Sequence, residues 1–185
     1  MCNNLIPLLN ARKASRAIST RPLDEQQILK LMNAAQLSAS CFNNQPWRFL
    51  FLTESTLLEK AHKALNHGNI WASKAPLLIM GYSKRELDCQ TKDGRAYYLF
   101  DLGMATQLIL LQATEMDLVA RPMAGYSQSI IRDELGMPDF YEIYVLIAVG
   151  YEGDINELDE KAKQKSLAPR MRNPLETNFS LNNIK

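Results

Sequence analysis

Four stretches of this sequence carry side chains suited to binding an anionic or hydrogen-bonding ligand, and none of them holds an acid–base pair. Residues 38–49 run Ser-Ala-Ser-Cys-Phe-Asn-Asn-Gln-Pro-Trp-Arg-Phe, so hydroxyls and three side-chain amides precede a proline that bars helix continuation. Amides donate and accept together, which fits Asn43, Asn44 and Gln45 to a ligand edge that alternates the two functions. A helix-end loop rich in turn formers explains the same composition equally well. Arg12 and Arg16 lie four apart in Arg12-Lys13-Ala14-Ser15-Arg16; at helical spacing they share a face, where like charges repel unless an anion lies between them. Arg170 and Arg172 stand between Pro169 and Pro174, and in an extended chain both point the same way. The fourth stretch is Arg121-Pro122-Met123-Ala124-Gly125-Tyr126, a loop whose glycine can present a bare backbone N–H.

Taken singly, the basic runs are most often solvated faces, and a tail is most often mobile. Taken together, the four read as parts of a site for one anionic, aromatic cofactor. Arginines would hold a phosphate bidentately, amides would read a ring edge, and the Gly125 N–H would meet a ring nitrogen. In that case the cofactor carries the chemistry.

The absences agree. No Gly-x-Gly-x-x-Gly follows a strand, and there is no phosphate-binding Gly-Lys-Ser/Thr loop, no Gly-x-Ser-x-Gly elbow and no metal-binding His pair. Lys plus Arg number 21 against 20 for Asp plus Glu, so no global field draws nucleic acid or an anionic membrane. Cys2, Cys41 and Cys89 are an odd set without metal-ligand spacing, and His62 and His67 are too few for a usual zinc site. Reduced thiols and no metal are expected. No leader pattern opens the chain, and residues 99–113 are broken by Asp101, Gly103, Gln107 and Gln112, so a core helix in a cytoplasmic protein is expected rather than a span.

The elements that must position these groups follow from hydrophobic period. At 185 residues and 46% hydrophobic the chain fits one domain. A first helix within residues 5–18 leads to a turn. Asp24 as N-cap with Gln27 three residues later predicts a helix to about Gln36, with Ile28, Leu31, Met32 and Ala35 as its buried stripe. Residues 47–52, 77–82 and 141–149 read as buried strands, 54–65 as a helix, and 96–119 as one long helix apolar on most of its surface. Residues 127–135 form a short helix closed by Gly136, and 157–165 a last one.

With these motifs in order, the sequence resembles the FMN-dependent nitroreductase family over nearly its whole length. That family has an Arg-x-Ser-x-Arg/Lys phosphate motif, matched by residues 12–16, and a Pro-Ser-x-x-Asn-x-Gln-Pro-Trp loop, matched by residues 39–47. Ala75-Pro76, Asp101 with Gly103, Ala105 and Gln107, Gly125-Tyr126, Leu135-Gly136-Met137-Pro138 and Gly150-Tyr151 continue the correspondence.

The resemblance implies an α+β fold, a mixed central sheet flanked by helices, in an intertwined homodimer. It implies one domain over residues 1–185, with 152–185 an extension packing on the partner subunit. The cofactor-binding set it implies is Arg12, Lys13, Ala14, Arg16, Ala39, Ser40, Cys41, Asn43, Gln45, Met123, Ala124, Gly125, Arg170 and Arg172, with Ser40 and Asn43 reaching the flavin of the other subunit. No side chain acts as catalytic acid or base. The chemistry would sit on FMN N5, supported by the Gly125 backbone and by Arg16 or a nearby cation such as Lys74. The implied activity is two-electron reduction of nitroaromatic, quinone or similar small molecules by NAD(P)H in a ping-pong cycle. A flavin protein without turnover, a dehalogenating or flavin-fragmenting relative, and a cofactor-free interaction domain are the alternatives. Ala14, Ala39 and Ala124 stand where the family often has Ser, Pro and Glu.

Overall fold

A computed structural model describes residues 5–182. Helix α1 is one short turn, Pro7–Ala11, because Arg12 already has extended backbone (ψ 120°). Arg12 and Arg16 therefore do not share a helical face, which corrects the reading of that segment. What pulls the chain straight is the sheet. Ile18 bridges Glu152, Ser19 N–H donates to Tyr151 O at 2.9 Å, and Gly153 N–H donates to Ala17 O at 3.0 Å.

Helix α2, Glu25–Gln36, begins at the expected capping box: Asp24 accepts the Gln27 N–H at 2.7 Å, and Gln27 Oε1 accepts the Asp24 N–H at 3.1 Å. Leu31 and Ala35 are buried, but Met32 turns outward beside the first strand. Strand β1, Arg48–Leu52, and helix α3, Ser55–His62, follow. Strand β2, Leu77–Ser83, leads through a charged connection to helix α4, Tyr98–Glu115.

The chain next departs from expectation. The long helix stops at Glu115, Asp117 takes a left-handed φ of 55°, and strand β3 runs over Leu118–Met123. Much of what read as a loop is thus a strand. Pro122 masks it, and β3 tolerates a proline because it lies at the sheet edge. Helix α5, Gln128–Leu135, ends at Gly136 (φ 64°), a left-handed cap that glycine adopts without steric cost. Strand β4, Glu142–Tyr151, and helices α6, Glu160–Leu167, and α7, Leu175–Asn178, complete the order.

Among the described residues the sheet runs β1-β2-β4-β3 with every pairing antiparallel, so the class is α+β as the motifs implied. The edges of the sheet are β1 and β3. The two central strands are apolar on both faces because helices cover both. Leu78, Met80, Leu146 and Ala148 pack with Ala61 of α3 and Ile131 of α5. Leu77, Ile79, Ile147 and Val149 pack with Leu31 of α2 and with Ile109 and Ala113 of α4.

Cys41 and Cys89 form a disulfide, with Cα atoms 5.9 Å apart, which overturns the expectation of reduced thiols for these two. Spacing rules miss such a pair, because 48 residues of sequence separate the partners and tertiary folding alone brings them together. Cys2 lies outside the described residues. From Leu167 to Asn182 every residue is exposed. Among the described residues no helix is long and apolar enough to cross a membrane, and no cluster of three or more potential metal ligands occurs.

Candidate functional site

Three distant segments converge on one basic recess of about 620 Å³: residues 12–16, Arg121 from β3, and residues 165–172 after the buried turn of α6. Arg12, Lys13, Arg16, Arg121, Lys165 and Arg172 line it, against a single carboxylate, Glu152, which Lys13 pairs at 2.5 Å. Burial first, and Arg16 second, bring the Arg121 guanidinium down to about 10. Arg12 is also lowered, by burial and then by Arg170 and Arg172. An anion in the recess would relieve both, since opposite charge restores the protonated form.

Not every arginine is free to bind it. Arg170 donates to the carbonyls of Leu9 (3.0 Å), Asn10 (3.1 Å) and Arg12, closing the C-terminal end of α1. It lines the recess and at the same time fastens the tail to the N-terminal segment. Arg121 donates to the Ala14 carbonyl and so shapes the turn between Arg12 and Arg16. Arg16 is tied to α6 through its N–H, which donates to Ser166 Oγ at 3.3 Å.

A second recess of about 540 Å³ continues from the first, sharing Arg16 and Lys165, and adds His67, Ile70, Trp71, Lys74 and Lys161. Trp71 supplies an aromatic wall, with the Arg121 guanidinium 5.5 Å from its ring. Lys74 is held by Glu157 at 2.7 Å. Each recess falls in the size range of ligand and cofactor sites.

Gly125 is fixed by its carbonyl, which accepts from Asn66 N–H at 3.1 Å and from Asn69 Nδ2 at 2.9 Å. Its N–H has no partner among the described residues. A Cβ here would lie 2.7 Å from Asn69 Nδ2, so a side chain would displace the amide that holds the loop. Asn69 sits between Gly68 and Ile70, both lining the second recess, and ties Gly125 to that wall. Met123 is buried at the end of β3, and Ala124 is exposed beside it.

Tyr126 anchors the same loop to β4: its hydroxyl donates to Ile143 O at 3.0 Å, and burial pushes its pKa up to about 12. A folded value above the unfolded one stabilises below pH 10, and this contribution is lost as pH rises through 12. Absorbance titration at alkaline pH is therefore expected to show a late tyrosine step that Tyr126→Phe removes, with about 1 kcal/mol lost from stability. An unchanged titration curve in the variant would reassign the step.

The amide loop closes on itself. Ser40 Oγ accepts Gln45 N–H at 3.0 Å, Gln45 Nε2 donates to Asn43 O at 3.1 Å, and Gln36 Nε2 donates to Gln45 Oε1 at 2.9 Å. Gln45 therefore braces the loop, the alternative that composition had left open. Phe42, Asn43 and Gln45 hold φ of 50°, 57° and 49°, at a cost of about 1 kcal/mol or more each. No residue of 38–45 lines the basic recess, so one chain does not bring Ala39, Ser40, Cys41, Asn43 and Gln45 together with the arginines. Conversely, the motif reading missed Trp71, Lys165 and Asn69, and gave Arg121 no role. Only the basic character of Lys165 and the aromatic Trp71 beside Lys74 could have drawn notice, and neither belongs to a spaced motif.

Comparison with known proteins bears on this geometry. The sequence model described as the nitroreductase family matches residues 9–77 and 53–151. The chain is 24% identical over 191 residues to a Thermus thermophilus protein named NADH dehydrogenase, spanning 80% of this chain and 90% of that one. Among solved structures, one described as the oxidoreductase containing FMN superposes with a TM-score of 0.89 at 25% identity, covering 100% of this chain and 95% of the other. A nitroreductase family protein of Clostridium difficile superposes with a TM-score of 0.81 at 26% identity, over 98% and 99% of the two chains.

Proposed function

This chain belongs to the nitroreductase family, and from that premise we propose that it is an FMN-dependent oxidoreductase, taking hydride from NAD(P)H and reducing nitroaromatic, quinone or similarly electron-poor small molecules. The observation that carries the reading is the basic recess. Arginines from three segments face a space with one already paired carboxylate, and two of them are held below their ordinary pKa by burial and then by neighbouring arginines.

The residues present fit the cofactor. Arg12, Arg16 and Arg172 would hold the phosphate, with Lys13 and Lys165 adding charge, while Trp71 walls the adjoining recess. Gly125 offers an unpartnered N–H, and the lack of a Cβ keeps Asn69 in place behind it. Bound FMN would supply two-electron transfer in a ping-pong cycle, accepting from NAD(P)H and giving to the second substrate in the same place. The protein's share is to orient and to stabilise negative charge: Arg16 lies in both recesses, and Lys74 is aligned by Glu157 beside it. No acid–base pair is needed.

The amide loop fits if the working unit is a homodimer. Ser40 and Asn43 lie off the recess of their own chain, so a second copy would bring them to it. Leu99 and Phe100 on α4, Leu167 at the end of α6, and Met171, Leu175, Phe179 and Leu181 beyond it are exposed apolar side chains that such a partner would cover. Residues 152–185 would then form the extension of a single domain that packs on that partner, in the cytoplasm where NAD(P)H is supplied.

The visible spectrum tests the proposal. Purified protein should carry a flavin band that anaerobic NADPH or NADH bleaches and a quinone restores. Bleaching without recovery makes it a flavin store rather than a reductase, and a colourless protein that takes up no FMN removes the cofactor altogether.

A further inference from the structure

The disulfide joins the amide loop to the charged connection after β2, and neither the motif set nor the family match assigns it a role. Cys41 opens the strained segment in which Phe42, Asn43 and Gln45 are left-handed. Its N–H is held by the carboxylate of Asp101, 3.2 Å away, a residue of α4 with no exposed surface. Cys89 is 3% exposed, whereas Cys41 is half-buried, so the bond can be reached from the loop side. Left-handed backbone at non-glycine residues persists only where the surroundings enforce it. Here hydrogen bonds with Ser40, Gln36 and Asn43 brace Gln45, while Cys41 is fixed by a buried carboxylate and by the one covalent bond.

We propose that Cys41–Cys89 is a redox-controlled clamp that positions the amide loop: oxidised, it holds residues 40–45 ready for the FMN of a second copy of the chain, and reduced by a dithiol it releases them and weakens cofactor binding. In the exchange, one thiolate of the dithiol attacks Cys41 Sγ, forms a mixed disulfide and expels the Cys89 thiolate, which takes up a proton. The second thiol of the reductant then attacks its own bonded sulfur, and Cys41 leaves and is protonated. Two electrons and two protons pass to the protein, and the reductant becomes a disulfide. Compartments rich in thiols keep accessible disulfides open; there the clamp closes by the reverse exchange, when the dithiol's own disulfide form accumulates and takes the two electrons.

The clamp's effect on cofactor rests on the FMN reading, and the test separates the two. Alkylation under denaturing conditions, without reductant, counts free thiols; Cys41 and Cys89 are expected to be protected in air-oxidised protein and labelled after dithiothreitol. Amide exchange is expected to quicken at residues 40–45 on reduction while β4 is unchanged. Titration with FMN is expected to give a Kd about tenfold weaker for reduced wild type and for Cys89→Ser, which no longer responds to dithiothreitol. Labelling of Cys41 or Cys89 in the oxidised protein, where only Cys2 should react, loop exchange indifferent to reduction, or equal FMN affinity in the two redox states would each overturn the clamp. Protein that binds no FMN in either state overturns the cofactor reading instead, and loop exchange alone then decides the clamp.

Discussion

A protein carrying Arg12→Ala together with Arg16→Ala is expected to leave dialysis colourless, with its affinity for FMN lowered by about a thousandfold. Hydrogen bonds to a charged group contribute about 1.5–3 kcal/mol each, and the loss of two such bonds gives a change of that order. The structure adds a reason for the direction. Burial and then Arg16 bring Arg121 down to about 10, and Arg12 is lowered by burial and then by Arg170 and Arg172, so like charges crowd the recess. A phosphate group converts that repulsion into attraction. Riboflavin, which lacks the phosphate, should bind the double variant and the wild type nearly alike, so the difference between the two ligands isolates the phosphate contribution. Raising the salt concentration should weaken FMN more than riboflavin, because the recess opens to solvent and its field is screened. Retention of FMN at wild-type affinity would move the phosphate site elsewhere. Arg170→Ala provides a contrast. Its guanidinium serves the carbonyls of Leu9, Asn10 and Arg12, so its loss should loosen the tail and the 12–16 segment and affect both ligands.

Legibility in the sequence tracked how local the physics was. The capping box at Asp24 and Gln27, the Gly136 cap, and strands β2 and β4 depend on neighbours within a few residues or on uninterrupted apolar runs, and these were readable. Strand β3 was not, because its identity comes from pairing with β4, while Pro122 and Arg121 look like loop residues when read alone. The helix over Arg12 and Arg16 failed for a related reason: Ala17 and Ile18 are drawn to the end of β4 by backbone bonds that no local pattern announces. The site divides likewise. Arg12, Arg16, Arg172 and Gly125 stood out through spacing and ordered motifs, whereas Trp71, Lys165, Asn69 and the Cys41–Cys89 pair matter only through where folding puts them.

The same N-terminal bridge supports the last expectation, that Gly153→Ala will be among the most damaging conservative changes in the chain. A Cβ at this position would lie 2.8 Å from Ile18 C, 2.8 Å from Ser19 N and 2.9 Å from Ile18 O. All three are backbone atoms, so no rotamer change relieves the clash. Either the Gly153–Ala17 and Ser19–Tyr151 hydrogen bonds lengthen or the strand end bends away. Overpacking of this kind costs about 1–3 kcal/mol, which for a domain of this size lowers Tm by roughly 2–4 °C per kcal/mol. The consequence should reach the site as well as the fold. Arg16 is two residues from Ile18, and its register against Arg121 and Ser166 is set by that bridge. FMN affinity should therefore fall about tenfold although no residue lining the recess has changed. Gly68→Ala is the matched control, because a Cβ there meets nothing within 4 Å and should leave Tm unaltered. If Gly153→Ala melts with the wild type, the N-terminal segment tolerates displacement. The arginines would then be positioned from the Arg121 and α6 side alone, through the bonds to Ala14 and Ser166.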